Sequence, residues 1–314
     1  MNTATPRASN KIDLAAVCAR QKNILLATTA DLRPLPNTML EPIVRAALHE
    51  DLGRVGDITS DSVIPPDAYA KVSMNCRDEG TIAGLDVAEA AFRLFDPELK
   101  IRRLVKDGAM VKPGDTLLEI EGRARSILAA ERVALNFVGR LSGIATLTRK
   151  MVNAVGPHKA KICSTRKTTP NLRALEKYAV RAGGGSNHRF GLDDAILIKD
   201  NHVAIAGGIV PALRAAKRNA GHMVKIEIEV DTLEQLSEAL AEGVDIVMLD
   251  NMNLEDMALA VKMAAGKALT EASGGVTLER IPRIASTGVD MISSGALTHS
   301  APNFDVGLDY SAGA

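Results

Sequence analysis

Residues 224–251 read VKIEIEVDTLEQLSEALAEGVDIVMLDN and contain two short apolar runs on either side of an amphipathic segment. The runs, at 224–230 and 245–250, have the length and the content of branched aliphatic residues that are typical of buried strands. The segment at 233–243 repeats its apolar residues with helical spacing. A strand, a helix and a second strand in this order predict a parallel sheet with a right-handed crossover.

The same alternation extends in both directions along the chain. Further strands are predicted at 160–165, 195–200, 268–275 and 290–295, and further helices at 171–182, 209–220 and 254–265. These units give about six parallel strands, fewer than the eight of a complete (β/α) barrel. The pattern therefore predicts an open, incomplete barrel, with an open doubly wound sheet as the alternative.

The preceding part of the chain, from residue 41 to about 125, mixes short helical and strand-like pieces and predicts a small α+β domain. Residues 105–120 predict a hairpin with a tight turn at 112–115, because Pro-Gly-Asp favours turn geometry between apolar runs. This segment also resembles a biotinyl or lipoyl carrier hammerhead. No lysine stands alone at the turn tip, which disfavours a carrier role. A long helix over 127–155 follows, with Ser126 as its predicted N-cap.

Composition excludes several classes of protein. The chain has 314 residues, 46% of them hydrophobic, and 38 basic residues balance 38 acidic ones, so no overall field attracts nucleic acid or an anionic membrane. Cys18, Cys76 and Cys163 are far apart and form no CxxC motif, which disfavours a disulfide framework or a zinc site. No apolar run approaches the roughly 20 residues of a membrane span. We therefore expect a cytoplasmic protein.

The first 37 residues carry scattered Thr, Pro and Asn and predict a poorly ordered extension. The segment lacks the hydrophobic core of a signal peptide. Arg7, Ser9 and Lys11 leave an organelle-targeting role as the alternative.

Charged side chains follow the predicted strands at the points where the strands end. Functional groups of parallel α/β proteins gather at these carboxyl ends. Both signs of charge are represented there, in Arg166, Lys167, His188, Arg189, Lys199, Glu229 and Asp250. A dianionic ligand together with a metal-bound polyphosphate would need both signs of charge. Guanidinium groups bind carboxylates in a bidentate manner, so Arg166 and Arg189 suit a dicarboxylate, whereas lysines act as point charges on phosphate oxygens.

The strand at 224–230 carries Lys225, Glu227 and Glu229 at alternate positions, which places all three on one face of the sheet. A pairing of Lys225 with Glu227 inside the barrel is the structural alternative. Glycine-rich strand ends at 273–275 and around 295, each followed by a helix start, predict a phosphate cradle. His158 and His202 are interpreted as surface or structural residues.

Several segments together carry a family resemblance. They include EDLGRVGDITSD at 50–61, ERVALNF at 131–137, STRKTTPNLRALEKYAVRAGGGSNHRFGLDDAILIKDNH at 164–202, KIEIEVD at 225–231, VMLDN at 247–251, EASGG at 271–275 and GVDMISSGALTHS at 288–300. From about residue 38 to the end, the chain resembles quinolinate phosphoribosyltransferase. The resemblance implies transfer of a phosphoribosyl group from phosphoribosyl pyrophosphate (PRPP) to quinolinate, with decarboxylation to nicotinate mononucleotide.

The resemblance also implies an architecture. It is an N-terminal α/β sandwich domain, formed by residues 38–136 and the tail 302–314, beside an open barrel formed by residues 137–301. A homodimer is implied as well, in which Arg132 is supplied to the active site of the neighbouring subunit.

The resemblance assigns roles to residues of this sequence. Quinolinate is bound by Arg132, Thr165, Arg166, His188, Arg189 and Lys199. PRPP and its phosphates are bound by Lys167, Glu229, Asp250, Ser273, Gly274, Gly275, Ser294 and Gly295. Glu229, Asp250, Lys167 and Lys199 are the catalytic residues, and the cofactor is Mg²⁺, held mainly through PRPP with Glu229 and Asp250 as further ligands.

Three alternatives accompany this interpretation. A nicotinate phosphoribosyltransferase would bind a single carboxylate, and the surplus of basic groups favours the dicarboxylate. A Schiff-base aldolase would use Lys199 as its nucleophile. A non-catalytic binding protein would have no need of Glu229 and Asp250.

Overall fold

The structure is a computed structural model that describes residues 32–310. Most of the predicted N-terminal extension, including Cys18 and the basic positions near the start, lies outside this range. Within residues 32–310 no helix combines the length and the apolar character that a membrane crossing needs.

A six-stranded parallel sheet forms the C-terminal part of the protein and confirms the predicted open barrel. Its strands in chain order are β6 (Lys161–Cys163), β7 (Ile196–Ile198), β8 (Ile226–Val230), β9 (Ile246–Asp250), β10 (Leu269–Ser273) and β11 (Met291–Ser293). In space the order is β6-β11-β10-β9-β8-β7. Strands β6 and β7 therefore form the two edges of the sheet, and the barrel is open between them.

Helices connect the strands. They are α5 (Arg173–Ala182), α6 (Asp200–Ala206), α7 (Ile209–Asn219), α8 (Leu233–Glu242), α9 (Leu254–Ala264), α10 (Ile281–Ser286) and α11 (Ala296–His299). The sequence fixes several of their ends. Asn253 caps α9 by accepting hydrogen bonds from the backbone N–H groups of Glu255 and Asp256, at 3.0 and 2.9 Å. Gly243 ends α8 at a φ of 78°, a conformation that favours glycine.

A second sheet lies in the N-terminal region. It is antiparallel, has the order β12-β1-β5-β3, and consists of β1 (Tyr69–Cys76), β3 (Lys100–Arg103), β5 (Thr116–Arg123) and the C-terminal β12 (Val306–Tyr310). Helices α1 (Asn37–Leu52), α2 (Ile58–Val63), α3 (Leu85–Phe95) and α4 (Ala124–Ala154) accompany it. The tail thus returns to the beginning of the domain, with Val72 opposite Tyr310.

The hairpin predicted over residues 105–120 is wrong in its pairing. The turn at 112–115 is present, and the backbone N–H of Asp115 donates to Lys112 O at 3.0 Å. However, β4 (Met110–Val111) pairs with β2 (Gly80–Thr81), whereas β5 pairs with β1 and β3. Strand pairing depends on non-local contacts that a turn motif does not specify.

The predicted cap of the long helix is also wrong. Helix α4 begins at Ala124 and is preceded by Arg123, so Ser126 lies within its first turn. Ser126 is buried and hydrogen-bonds to Asp96 instead. The helix runs through the predicted domain boundary at residues 136 and 137. It packs against α3 in the N-terminal region and against α5 in the barrel, where Arg140 forms an ion pair of 2.8 Å with the buried Glu176.

Gly143 lets the C-terminal tail cross α4 closely. A Cβ atom at this position would lie 2.0 Å from the backbone O of Pro302. We expect Gly143→Ala to lower the free energy of unfolding by about 1–3 kcal/mol, the usual cost of overpacking. Chemical denaturation would measure this loss, with Gly221→Ala as the control, since its nearest neighbour would be Val224 Cγ2 at 3.9 Å. Equal stability of the two variants would contradict the expected clash.

Candidate active site

One pocket lies at the carboxyl ends of the parallel strands and has a volume of about 740 Å³. It is lined by all but one of the residues predicted for the site, namely Thr165, Arg166, Lys167, His188, Arg189, Lys199, Glu229, Asp250, Ser273, Gly274, Gly275, Ser294 and Gly295. The exception is Arg132, which is exposed on α4 and does not line the pocket.

The basic wall of the pocket contains two guanidinium groups that each keep an unused N–H donor among the described residues. Nε of Arg166 and Nε of Arg189 are both buried and make no hydrogen bond. Within residues 32–310 no carboxylate forms an ion pair with Arg166, Lys167 or Arg189. Burial lowers the pKa of Arg189, and the charge of Arg166 lowers it further. Positive charge is therefore concentrated here with no acidic partner, as a site for an anion requires.

The run of three glycines positions this wall. A Cβ at Gly183 would lie 2.5 Å from the backbone O of Ala145, so the loop passes close to α4. Residue Ser186 then forms a parallel bridge with Cys163 at the edge strand β6. His188 and Arg189 come two and three residues after Ser186. The glycine run therefore places both residues in the pocket, beside the opening of the barrel.

Lys177 supports the loop from below. Its Nζ donates to Ser164 Oγ at 3.0 Å and to the backbone O of His188 at 2.9 Å. Burial lowers the pKa of Lys177 to about 8, and the positive charge of Arg173 contributes to this decrease. Lys177 is thus a structural anchor for His188. This role was not predicted, because a lysine within an amphipathic helix gives no distinguishing signal in the sequence.

The acidic wall comes from neighbouring strands. Glu229 on β8 forms an ion pair with Lys199, with 3.0 Å between Oε2 and Nζ. Asp250 at the end of β9 accepts a hydrogen bond from Asn251 Nδ2 at 2.6 Å. The Lys199 amine is therefore already engaged, an arrangement that disfavours the free amine nucleophile of an aldolase.

The face predicted for strand β8 is found. Glu227 and Glu229 both project toward the pocket side, where Glu229 lines the pocket and Glu227 reaches His188. The alternative pairing of Lys225 with Glu227 is wrong. Lys225 instead lies at the opposite end of the strand and forms an ion pair with Asp245 at 2.5 Å.

Both predicted phosphate loops line the pocket, but only one leads directly into a helix. Gly274 and Gly275 have φ values of 90° and 57°. The chain then forms a turn over 277–280 before α10 begins, so the predicted helix start at this loop is wrong. Gly295 directly precedes α11, as predicted.

The two histidines interpreted as surface or structural residues fit that interpretation. His158 is exposed. His202 accepts a hydrogen bond at Nδ1 from the backbone N–H of Lys199, at 2.9 Å. It thereby fixes the start of α6.

Some pocket residues were not predicted as site residues. They are Leu197, Met248, Asn251, Glu271, Val276, Ser293, Ala296 and His299. Asn251 and Ser293 stand at strand ends, and that position was the available signal, whereas Glu271 lies inside β10. His299 is the last residue of the short helix α11, and nothing in its sequence context distinguished it.

Comparison with known proteins agrees with this geometry. Residues 57–142 match the family model described as the quinolinate phosphoribosyl transferase N-terminal domain, and residues 144–309 match the corresponding C-terminal domain. The probable nicotinate-nucleotide pyrophosphorylase [carboxylating] of Bacillus subtilis (strain 168) is 47% identical over 260 residues, which cover 83% of this chain and 89% of that protein.

Two further relatives give the same result. The nicotinate-nucleotide pyrophosphorylase [carboxylating] of Mycobacterium leprae (strain TN) is 48% identical over 271 residues, covering 85% of this chain and 95% of that protein. The solved structure of the nicotinate-nucleotide pyrophosphorylase from Francisella tularensis superposes with a TM-score of 0.85 at 41% identity, covering 89% of this chain and 99% of that one. The chain belongs to the quinolinate phosphoribosyl transferase family.

Proposed function

We propose that the protein transfers a phosphoribosyl group from PRPP to the ring nitrogen of quinolinate and releases pyrophosphate and carbon dioxide, giving nicotinate mononucleotide in NAD biosynthesis. The observation that carries this proposal is one pocket lined by Arg166, Arg189, Glu229 and Asp250, in which the Nε atoms of both arginines are buried and make no hydrogen bond within residues 32–310. A dicarboxylate with a sugar phosphate has the charge pattern that this pocket complements.

Arg166 and Arg189 are proposed to bind the carboxylates of quinolinate, with Thr165 and Lys199 beside them. His188 is proposed to contact quinolinate through the face or edge of its ring, since both ring nitrogens are already hydrogen-bonded within the protein. These contacts hold the ring nitrogen in line with the ribose anomeric carbon. Because that nitrogen already has a free lone pair, no general base is needed, and most of the protein's contribution is positioning.

The acidic residues act on the ribose. As pyrophosphate leaves, the anomeric carbon becomes oxocarbenium-like, and the carboxylates of Glu229 and Asp250 stabilise its positive charge. Lys167 and Lys199 offset negative charge on the leaving group. Ser273, Gly274, Gly275, Ser294 and Gly295 are proposed to hold the phosphates through hydroxyl and backbone N–H groups.

Mg²⁺ is the proposed cofactor, and the donor set fits it. Glu229 and Asp250 offer carboxylate oxygens beside the space for PRPP, and Mg²⁺ prefers oxygen ligands shared between one or two carboxylates and substrate phosphates. Bound there, Mg²⁺ would neutralise charge on the pyrophosphate.

Decarboxylation follows from the first step. Ribosylation makes the pyridine ring cationic, so the ring accepts the electron pair released when the adjacent carboxylate departs as carbon dioxide. The ring carbon then takes up a proton. Nicotinate has no carboxylate at this position, and its transfer would release no carbon dioxide.

A homodimer with a shared site is proposed to complete the pocket. Arg132 is exposed on α4 and lies four residues after the exposed Leu128, so the two share one face of the helix. Exposed Val55, Ile58 and Val63 lie on or near α2, which contacts α4. Apolar surface of this kind is typical of stable dimer interfaces.

The cytoplasmic location stays a prediction, supported by the buried free thiols of Cys76 and Cys163.

One assay tests the proposed reaction. The protein is incubated with quinolinate, PRPP and Mg²⁺, and carbon dioxide and nicotinate mononucleotide are quantified. We expect equal amounts of both products, and no product when nicotinate replaces quinolinate. Product from nicotinate without release of carbon dioxide from quinolinate would favour the nicotinate enzyme. Trapping of a carbonyl substrate on Lys199 by borohydride would favour the aldolase.

A further inference from the structure

A cluster of two glutamates and a histidine lies at the floor of the pocket. One donor atom each from His188, Glu227 and Glu271 lies within 4.8 Å of the others. Glu227 and Glu271 are 4% and 1% exposed, although the pocket above them is proposed to bind a dianion. Two buried negative charges below a dicarboxylate would repel it, so the charge of this cluster matters for binding.

The hydrogen bonds of His188 fix the proton on its ring. Nδ1 accepts from the backbone N–H of Arg189 at 2.8 Å, so the ring hydrogen is on Nε2. Nε2 donates this hydrogen to Glu227 Oε2 at 2.7 Å. A second ring proton, on Nδ1, would cost the hydrogen bond from Arg189. Within residues 32–310, Glu227 Oε1 and Glu271 Oε1 are buried without a hydrogen-bond partner, and Glu271 Oε1 lies 3.9 Å from His188 Nε2.

The surroundings of Glu271 favour its protonated form. Burial and the charge of Glu227 on β8 raise its pKa, His188 and the Ser293 hydroxyl on β11 lower it, and the net value is about 7. On β6, burial and the charge of Glu271 raise the pKa of the Cys163 thiol to about 12. For His188, burial lowers the pKa, whereas the hydrogen bond to Glu227 and the charge of Glu271 raise it, and the net direction is upward.

We propose that Glu271 is a positioning residue that carries a proton when quinolinate binds, so that the Glu227–Glu271 pair holds a single negative charge and keeps His188 and Arg189 in place. Loss of that proton adds a second buried charge below the substrate and expels it. This inference rests on the proposed function, because it concerns the binding of the same dicarboxylate.

The sign of the pH dependence follows from the raised pKa. Glu271 is protonated below about pH 7 and ionised above it, so quinolinate affinity should be constant at low pH and decrease as pH rises through about 7. A single titrating group limits this decrease to about tenfold per pH unit. Because the ligand prefers the protonated form, binding above pH 7 must be accompanied by proton uptake.

The test is direct binding of quinolinate by isothermal titration calorimetry from about pH 6 to about pH 8.5, without PRPP, on wild type and Glu271→Gln. Glutamine has the size of glutamate and the charge of its protonated form. We expect wild type to lose about 15-fold in affinity between about pH 7 and pH 8.5. Glu271→Gln should bind as tightly as wild type at pH 6 and keep that affinity to about pH 8, where Lys177 begins to titrate.

Two controls accompany this comparison. Glu238→Gln removes a carboxylate from the exposed face of α8 and should keep the wild-type profile, which excludes an effect of net charge. Titrations in two buffers of different ionisation enthalpy should show proton uptake by wild type at pH 7.5 and much less by Glu271→Gln. If Glu271→Gln unfolds at a lower temperature and cannot be used, Glu227→Gln provides the test. Loss of the Glu227 charge should lower the pKa of Glu271, so the decrease in quinolinate affinity should begin at a lower pH than in wild type.

The outcomes separate the inference from the proposed function. Failure of wild type to bind quinolinate at any pH would contradict the proposed function itself. Tight binding by wild type with the same pH profile in Glu271→Gln, or an unshifted profile in Glu227→Gln, would overturn only the role of Glu271. A stoichiometric divalent metal ion retained by wild type and lost in Glu271→Gln would also overturn it, since the cluster would then hold a cation in place of the proton.

Discussion

Arg166→Ala is expected to weaken quinolinate binding on the order of 100-fold, because a hydrogen bond to a charged group contributes about 1.5–3 kcal/mol and about 1.4 kcal/mol corresponds to tenfold in affinity. The side chain lines the pocket, and its buried Nε makes no hydrogen bond within the protein. Removal of the Arg166 side chain therefore does not deprive any acceptor group within residues 32–310 of its hydrogen-bond donor. We expect the thermal unfolding temperature to stay within a few degrees of wild type while the KM for quinolinate rises.

Matched variants separate charge from geometry. Arg166→Lys keeps the charge but cannot bind a carboxylate in a bidentate manner, so it should recover only part of the affinity. Arg218→Ala removes an exposed arginine from α7 and should leave the KM unchanged. Normal saturation by quinolinate in Arg166→Ala would contradict the assignment of this residue to the dicarboxylate.

Arg189→Ala should show the same loss of affinity with an additional loss of stability. Nη1 of Arg189 donates to the backbone O of Ala195 at 2.9 Å. Its removal leaves that carbonyl without this donor, which costs about 1–3 kcal/mol where the group stays buried. A larger decrease in stability for Arg189→Ala than for Arg166→Ala would support the difference in their packing.

The barrel and most of the pocket could be predicted because their signals are periodic. In strand β8, Ile226 and Ile228 alternate with Glu227 and Glu229, and a period of two places the acids on one face whatever the surroundings are. Strand ends of a parallel sheet meet at one edge, so residues far apart in sequence, such as Arg166 and Asp250, were expected around one opening.

The errors arose where the deciding contact is distant in sequence. Serine is a common N-cap residue, but the Ser126 hydroxyl hydrogen-bonds to the carboxylate of Asp96, which lies 30 positions earlier in the sequence. The turn at 112–115 formed as predicted, but its flanking strands joined different sheets. Glu271 was passed over because a glutamate inside a strand gives no indication that a second buried glutamate and a histidine will lie against it.

Mixing two inactive variants is expected to restore activity if subunits share their sites. Arg132→Ala lacks the residue proposed to reach the partner, and Glu229→Ala lacks the acid at the ribose. In a hybrid dimer one pocket has both defects and the other has neither. Random exchange at equal amounts makes half of the dimers hybrid, so about one quarter of the wild-type activity per site should appear.

The reverse combination provides the matched control. When wild type is mixed with the double variant Arg132→Ala/Glu229→Ala, each hybrid dimer has one pocket without Arg132 and one without Glu229. Before exchange, the mixture has one half of the activity of the same total number of wild-type sites. After exchange, this activity should fall to about one quarter. Subunit exchange would be verified by native mass spectrometry with one variant isotopically labelled.

The two mixtures together distinguish the possible arrangements of the site. Arg132 is exposed and lies outside the pocket of its own chain, so a pocket made by one subunit alone does not include it. If Arg132 served its own subunit after a conformational change, the first mixture would stay inactive and the second would stay at one half. Gain of activity in the first mixture with loss in the second is expected only when Arg132 crosses the interface, because only then do the two substitutions fall in the same pocket.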